Sequence, residues 1–249
     1  MSLARTAVRL LAVGVMTGTD GARPTIAGPR VYDSRISDLA PETFAEDAKP
    51  VLLVLTDEDS GEALSDANGG PPFRRLIELV IEMAMVERHK VGDGYVVGYP
   101  DTDARLEASL DLLEHQVLDV LGNGTTDAAL TFQSHIRVWR RAAHRQVTDD
   151  AGVKMACRIL SLTCEISDDQ GGPMPGATGL DRLPEPLRTV AHVLPPGSGG
   201  ANTCSTLAAA ISAQPDISVP FEGVDWRFDA GTEDKDEHVV VGKTDFDQP

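Results

Sequence analysis

Aromatic residues make up only 4% of this 249-residue chain. That is too few for the exposed stacking platforms on which single strands of nucleic acid are held. Basic residues are scarce as well. Twenty-two Lys and Arg against 39 Asp and Glu leave a formal charge of −17, the wrong sign for a surface that wraps or reads DNA through its phosphates. The three cysteines, Cys157, Cys164 and Cys204, are odd in number and far apart, with no C-x-x-C pair. They encode no zinc set, and a reducing compartment is expected. No apolar run approaches the ~20 residues of a membrane span. The short run over residues 10–16 is preceded by Arg5 and Arg9 at helical spacing and followed by no A-x-A site. It therefore reads as helix and not as a signal peptide, and synthesis in the cytoplasm is expected.

Catalytic signatures are missing too. The six histidines form no HxH or HExxH pattern, and His115 reads as a surface or boundary residue of a helix. There is no G-x-S-x-G elbow. The glycine pairs Gly92/Gly94 and Gly122/Gly124 belong to turns, not to phosphate loops. Two acidic pairs, Asp57 with Asp59 and Asp101 with Asp103, have the spacing of carboxylates that share a divalent cation. A small metal-dependent hydrolase using Asp57, Asp59 and Asp101 is therefore one alternative reading. The pattern is common, and Asp101 and Asp103 already serve to start a helix. No catalytic residue, metal ligand or cofactor is assigned.

What is present is a 41% hydrophobic fraction, enough for a real core, and it must be aliphatic. An amphipathic helix is expected over 2–16, with Ser2 as its N-cap, and a short strand over 30–33. Residues 51–56 form a continuous apolar run with β-branched members, which predicts a strand buried on both faces and ending at Asp57 to Asp59. A loop is expected over 60–72. The alternation of Ile77, Leu79, Ile81, Met83 and Met85 favours a strand over 75–90, with a Gly-rich connection or hairpin over 91–100. Leu106, Leu110, Leu113, Val117 and Leu121 make one stripe of a helix over 103–121, and a short helix follows over 126–136. A long hairpin is expected, with arms 139–147 and 153–166. The apolar phase of the second arm switches from Cys157 and Ile159 to Leu160 and Leu162, which predicts a bulge there. Beyond Ser167 lie Gly/Pro-rich stretches at 171–176 and 195–200, weak helices over 184–193 and 203–213, and a strand candidate over 224–228.

Two regions follow: an α/β (α+β) domain over 1–167, with a mixed, largely antiparallel sheet flanked by helices, and an acidic, irregular Pro/Gly-rich extension over 168–249 with sparse structure. Residues 167–249 hold 14 acidic against 5 basic residues, a net of −9, while the preceding 166 residues carry −8. Against this background the run 137–145 stands out as the one basic patch. Arg137, Trp139, Arg140, Arg141 and Arg145 are its candidate interface residues, and a docking face for an acidic neighbouring subunit suits them better than a DNA contact.

The order of these segments resembles the tail terminator family (minor tail protein U-like) of long-tailed phages. The likeness runs over about residues 1–166: the N-terminal helix, the strand from Arg30 to Asp33, the strand after Pro50, the segment 76–82, the Leu-rich helix, and a hairpin closing on 158–165. It implies an α/β subunit that assembles as a hexameric ring in the virion tail or neck. Such a ring ends tail-tube polymerisation and meets the tail tube protein on one side and a head-completion or stopper protein on the other. DNA would pass through its lumen without sequence-specific binding, because a negative lumen repels phosphates. Six copies would carry −102, six times −17, so the seams need basic patches. Another neck or head–tail joining protein is the second reading within the same class.

Overall fold

A computed structural model of the chain describes residues 3–18, 24–34, 50–65, 67, 69–85, 87–91, 94–98, 104–150, 153–170 and 176–213. The elements are α1 (Leu3–Thr17), β1 (Val31–Asp33), β2 (Val51–Ala63), β3 (Phe73–Met85), β4 (Glu87–Val91), β5 (Gly94–Gly98), α2 (Ala104–Asn123), α3 (Asp127–His135), β6 (Arg137–Asp150), β7 (Val153–Ser167), α4 (Leu187–Val193) and α5 (Gly199–Ala213). A short 3-10 turn covers Gly179–Arg182. The class is α+β, as the sequence pattern predicts. Five strands form one mixed sheet in the order β1-β2-β3-β7-β6, and β4 and β5 pair separately as a hairpin. Only β1 and β2 run parallel; the other pairings in the main sheet are antiparallel.

Alternation along the strands decides where the helices sit. Leu52, Val54, Ile77, Leu79, Ile81, Met83, Leu160, Leu162, Cys164 and Ile166 share one face by register and join the helices in a single core. α1 lies at its centre. Ala4, Ala7, Val8, Leu10, Leu11, Ala12, Val15 and Met16 are buried, so the helix is apolar nearly all round, as a helix covered on several sides must be. Its two arginines make the exceptions useful: Arg5 donates from Nε to Thr56 Oγ1 at 2.8 Å, and Arg9 pairs with Asp33. Both hold α1 to the C-terminal ends of β1 and of the apolar stretch of β2.

β2 does not stop at the acidic triplet. It continues through a register shift between Thr56 and Asp59 and pairs with β3 as far as Ala63 opposite Phe73. The expected loop is therefore shorter, because backbone pairing with β3 compensates for the polar side chains. The bulge expected in the second hairpin arm is absent from it. β7 pairs with β3 without interruption from Ala156 to Ser167. Its phase switch instead marks a change of buried face, from Cys157 on the face away from the helices to Leu160, Leu162, Cys164 and Ile166 beneath them. The bulge lies in β6, where Val138 faces Cys164, Arg140 faces Thr163, and Trp139 is the extra residue.

The boundary expected near 168 also moves. The compact unit runs Met1–Ile211. Leu183, Leu187, Val190, Ala191, Leu194, Cys204 and Ala208 belong to the same core as α1. Leu194 enters between two glycines: a Cβ on Gly14 would stand 2.9 Å from its Cδ2, and one on Gly200 3.0 Å from its Cδ1. Short, weakly patterned helices are thus ordered by tertiary packing, not by intrinsic propensity. The strand candidate over 224–228, Asp101 and Asp103 lie outside the described residues.

Candidate interaction surface

Among the described residues β6 is an edge strand, paired with β7 on one side only. All residues from Arg137 to Arg145 are exposed, so the outer row of backbone N–H and C=O groups stands ready for a partner. Register divides its basic side chains between the two faces of the sheet. Arg140 and His144 share the open face with Thr163 and Ile159, while Arg141 and Arg145 stand on the helix side with Leu162 and Arg158.

The bulge gives Trp139 an exposed place, 53% accessible. The Arg137 guanidinium lies 4.7 Å from its ring centroid and that of Arg74 lies 5.4 Å away. Each such contact contributes roughly 0.5–1 kcal/mol at an exposed site. The Trp139 indole N–H donates to Glu165, and Arg74 pairs with Glu165 at 3.3 Å. An aromatic ring pre-set between two guanidinium groups resembles the Trp and Arg anchors that dominate protein interfaces.

Arg145 is partly engaged within its own chain, 3.4 Å from Glu107 of α2. Its neighbour Arg158 is 15% accessible and meets Glu107 at 3.0 Å, Glu114 at 3.2 Å, and Asp111. Arg140 and Arg141 have no ion-pair partner among the described residues. Arg140 instead borders a shallow groove of about 460 Å³ on the open sheet face, with Glu58, Ser60, Glu78, His144, Ser161 and Thr163 among its walls.

The structure thus brings Arg137 and Trp139 together, leaves Arg140 and Arg141 available, and ties Arg145 to a helix. Arg74, Glu165 and Arg158 are the residues that reading the run 137–145 alone misses. Arg158 has a signal in hindsight: it interrupts the alternation of Leu160, Leu162, Cys164 and Ile166 at the position that continues their face. The acids it meets recur at positions 107, 111 and 114, one face of a helix.

The acidic pair in β2 is not arranged as a cation site. Asp59 is held by Arg75, which also stands 3.7 Å from Asp168. Asp57 is exposed on the strand. Burial, and then the charge of Asp57, push the Glu82 carboxyl above its ordinary value. Among the described residues no group of three or more His, Cys, Asp or Glu is placed to hold a metal. Burial raises the thiols of Cys157 and Cys164 to about 12 and that of Cys204 to about 11, which makes them packing groups and not nucleophiles. No helix among the described residues is long and apolar enough to cross a membrane.

No protein-family model matches the chain, and no curated protein matches it in sequence.

Proposed function

We propose that this chain is a structural subunit of a bacteriophage-like particle that assembles as a ring, caps the tail tube, ends its polymerisation and joins the tail to the head or neck. The observation that carries the reading is β6: a 14-residue edge strand bearing the basic run of an otherwise acidic chain. An edge of this kind supplies main-chain pairing, and its arginines supply selection of an acidic neighbour. The order of elements over residues 3–167, from the central N-terminal helix through the mixed sheet to the long β6–β7 hairpin, is compatible with the resemblance to tail terminators. The acidic remainder suits a subunit that lets DNA slide past, since like charge keeps phosphates from sticking. In this reading the protein has no catalytic role and needs no cofactor. It works in the virion tail or neck, with the tail tube protein and a head-completion protein as partners and six copies as the expected stoichiometry.

Negative-stain images of the purified protein test the proposal. Single closed rings support it. Long tubes would make the chain a tube subunit instead, and featureless monomers at high concentration would count against assembly altogether. Titration calorimetry with magnesium, calcium or manganese addresses the hydrolase alternative, for which stoichiometric uptake would be required.

A further inference from the structure

The two margins of the five-stranded sheet carry opposite charge at the same height. β1 pairs with β2 only opposite Leu52, Leu53 and Val54. After the bond from the Ser34 N–H to the Val54 carbonyl, 3.0 Å, no described strand lies outside the 57–63 half of β2. That half is exposed at every position except Asp59, which Arg75 holds from within the sheet. Asp57, Glu58 and Glu62 have no ion-pair partner among the described residues. The opposite margin is β6, with Arg137, Arg140 and Arg141.

Register fixes the relative heights. Arg140 stands opposite Thr163, and Thr163 opposite Glu78. Glu78 in turn faces the irregularity between Thr56 and Asp59 that contains Asp57 and Glu58. Arg137 leads in the same way through Glu165 and Leu76 to Ser60, and Arg141 through Leu162 and Leu79 to Thr56. Three successive antiparallel pairings also make β6 run opposite to β2. A second copy set alongside with the same face forward therefore presents the uncovered 57–63 part of its β2 antiparallel to residues 137–141 of β6, without any shift along the strands, while its β1 stands at the height of Ala143 to Arg145.

We infer that the basic β6 margin around Arg140 and Arg141 of one copy docks against the acidic β2 margin around Asp57 and Glu58 of the next, forming the head-to-tail seam of the ring. Both margins have unpaired outer backbone groups among the described residues, so each offers the other ladder bonds as well as charge. Two β6 margins repel one another, and so do two β2 margins. Of the three edge pairings only the head-to-tail one is attractive, and a heterologous contact is the kind that closes into a ring. The inference rests on the ring reading for closure, but it names the surfaces that reading leaves open.

Charge exchange tests it. Particle mass is measured by sedimentation at low ionic strength for wild type, for Arg140→Glu/Arg141→Glu, for Asp57→Lys/Glu58→Lys, for an equimolar mixture of the two variants, and for the chain carrying all four changes. Wild type should assemble, and each variant alone should lose at least about tenfold in association. The mixture should recover assemblies in which the variants alternate, and the fourfold variant should assemble alone. Recovery on mixing shows that each variant is folded. Wild-type rings that neither variant disturbs, or variants that stay apart when mixed, would overturn the seam while leaving the ring reading in place. A wild type that is monomeric throughout would overturn both.

Discussion

The carboxylate of Asp169, just beyond the last strand of the sheet, accepts the backbone N–H of Leu3 at 2.8 Å and that of Ala4 at 2.8 Å. The first turn of α1 contains no acid of its own, so a residue 166 positions away caps it and meets its dipole. Asp169→Ala should lower stability by about 1–2 kcal/mol, read as a shift of the urea midpoint with unchanged slope. Asp169→Asn should recover part of the loss, since an amide oxygen still accepts one of the two bonds.

Arg158 links β7 to the acidic stripe of α2 with little access to solvent. Arg158→Ala leaves the half-buried Glu114 without its ion-pair partner and Glu107 with Arg145 alone, and should cost about 2 kcal/mol in denaturant unfolding. Arg158→Lys should recover less than half, because an ammonium group cannot reach three carboxylates with a planar fork. A loss no larger than that of an exposed arginine such as Arg141 would contradict the tether.

Two glutamates predict opposite pH dependences. Burial works against the charged form of Glu185, but hydrogen bonds from Thr189 and Arg188 outweigh it and hold the carboxyl below its ordinary 4.5. A carboxyl lowered in the folded state adds stability above its unfolded pKa and loses it as pH falls through the folded value. Glu185→Gln should therefore be less stable than wild type at neutral pH, by about 1 kcal/mol, and the gap should hold until pH reaches the ordinary 4.5 and close as it falls from there through the lower folded value. Glu82 is raised, so its ionised form opposes folding. Glu82→Gln should raise the melting temperature at neutral pH, and that gain should vanish once the carboxyl is protonated.

The three cysteines give a simple check of the core. With thiols raised to about 12, 12 and 11 and buried beneath other side chains, the folded protein should react with an aromatic disulfide reagent only on the timescale of unfolding. All three should react at once in denaturant. Fast labelling of Cys157 or Cys164 in native buffer would contradict the packing of β3 on β7.

Most of the sheet was legible because its signal is local. Ile77, Leu79, Ile81 and Met83 alternate cleanly, and Leu110, Leu113, Val117 and Leu121 fall on one helical stripe. What the sequence concealed was set by partners far along the chain. β2 extends past Asp57 because β3 lies beside it, not because Ser60 or Gly61 favours a strand. Cys157 and Leu160 differ in phase because they are buried on opposite faces of the sheet, which no single-strand pattern distinguishes from a bulge. The helices after Ser167 carry little periodicity, and it is contacts such as Leu194 seated between Gly14 and Gly200, with Leu187, Val190 and Cys204 in the same core, that show where they belong. At the candidate surface the basic run was plain to see. Its division between two faces, and the placing of Trp139 by a bulge, depended on register with β7.

Tail-tube growth tests the central claim most directly. Tube subunits from the same particle are polymerised with and without the wild-type protein, and tube lengths are measured by electron microscopy. Growth should stop when the protein is added, with one ring at one end of each tube. Tubes that lengthen equally in both samples, with bare ends, would contradict it.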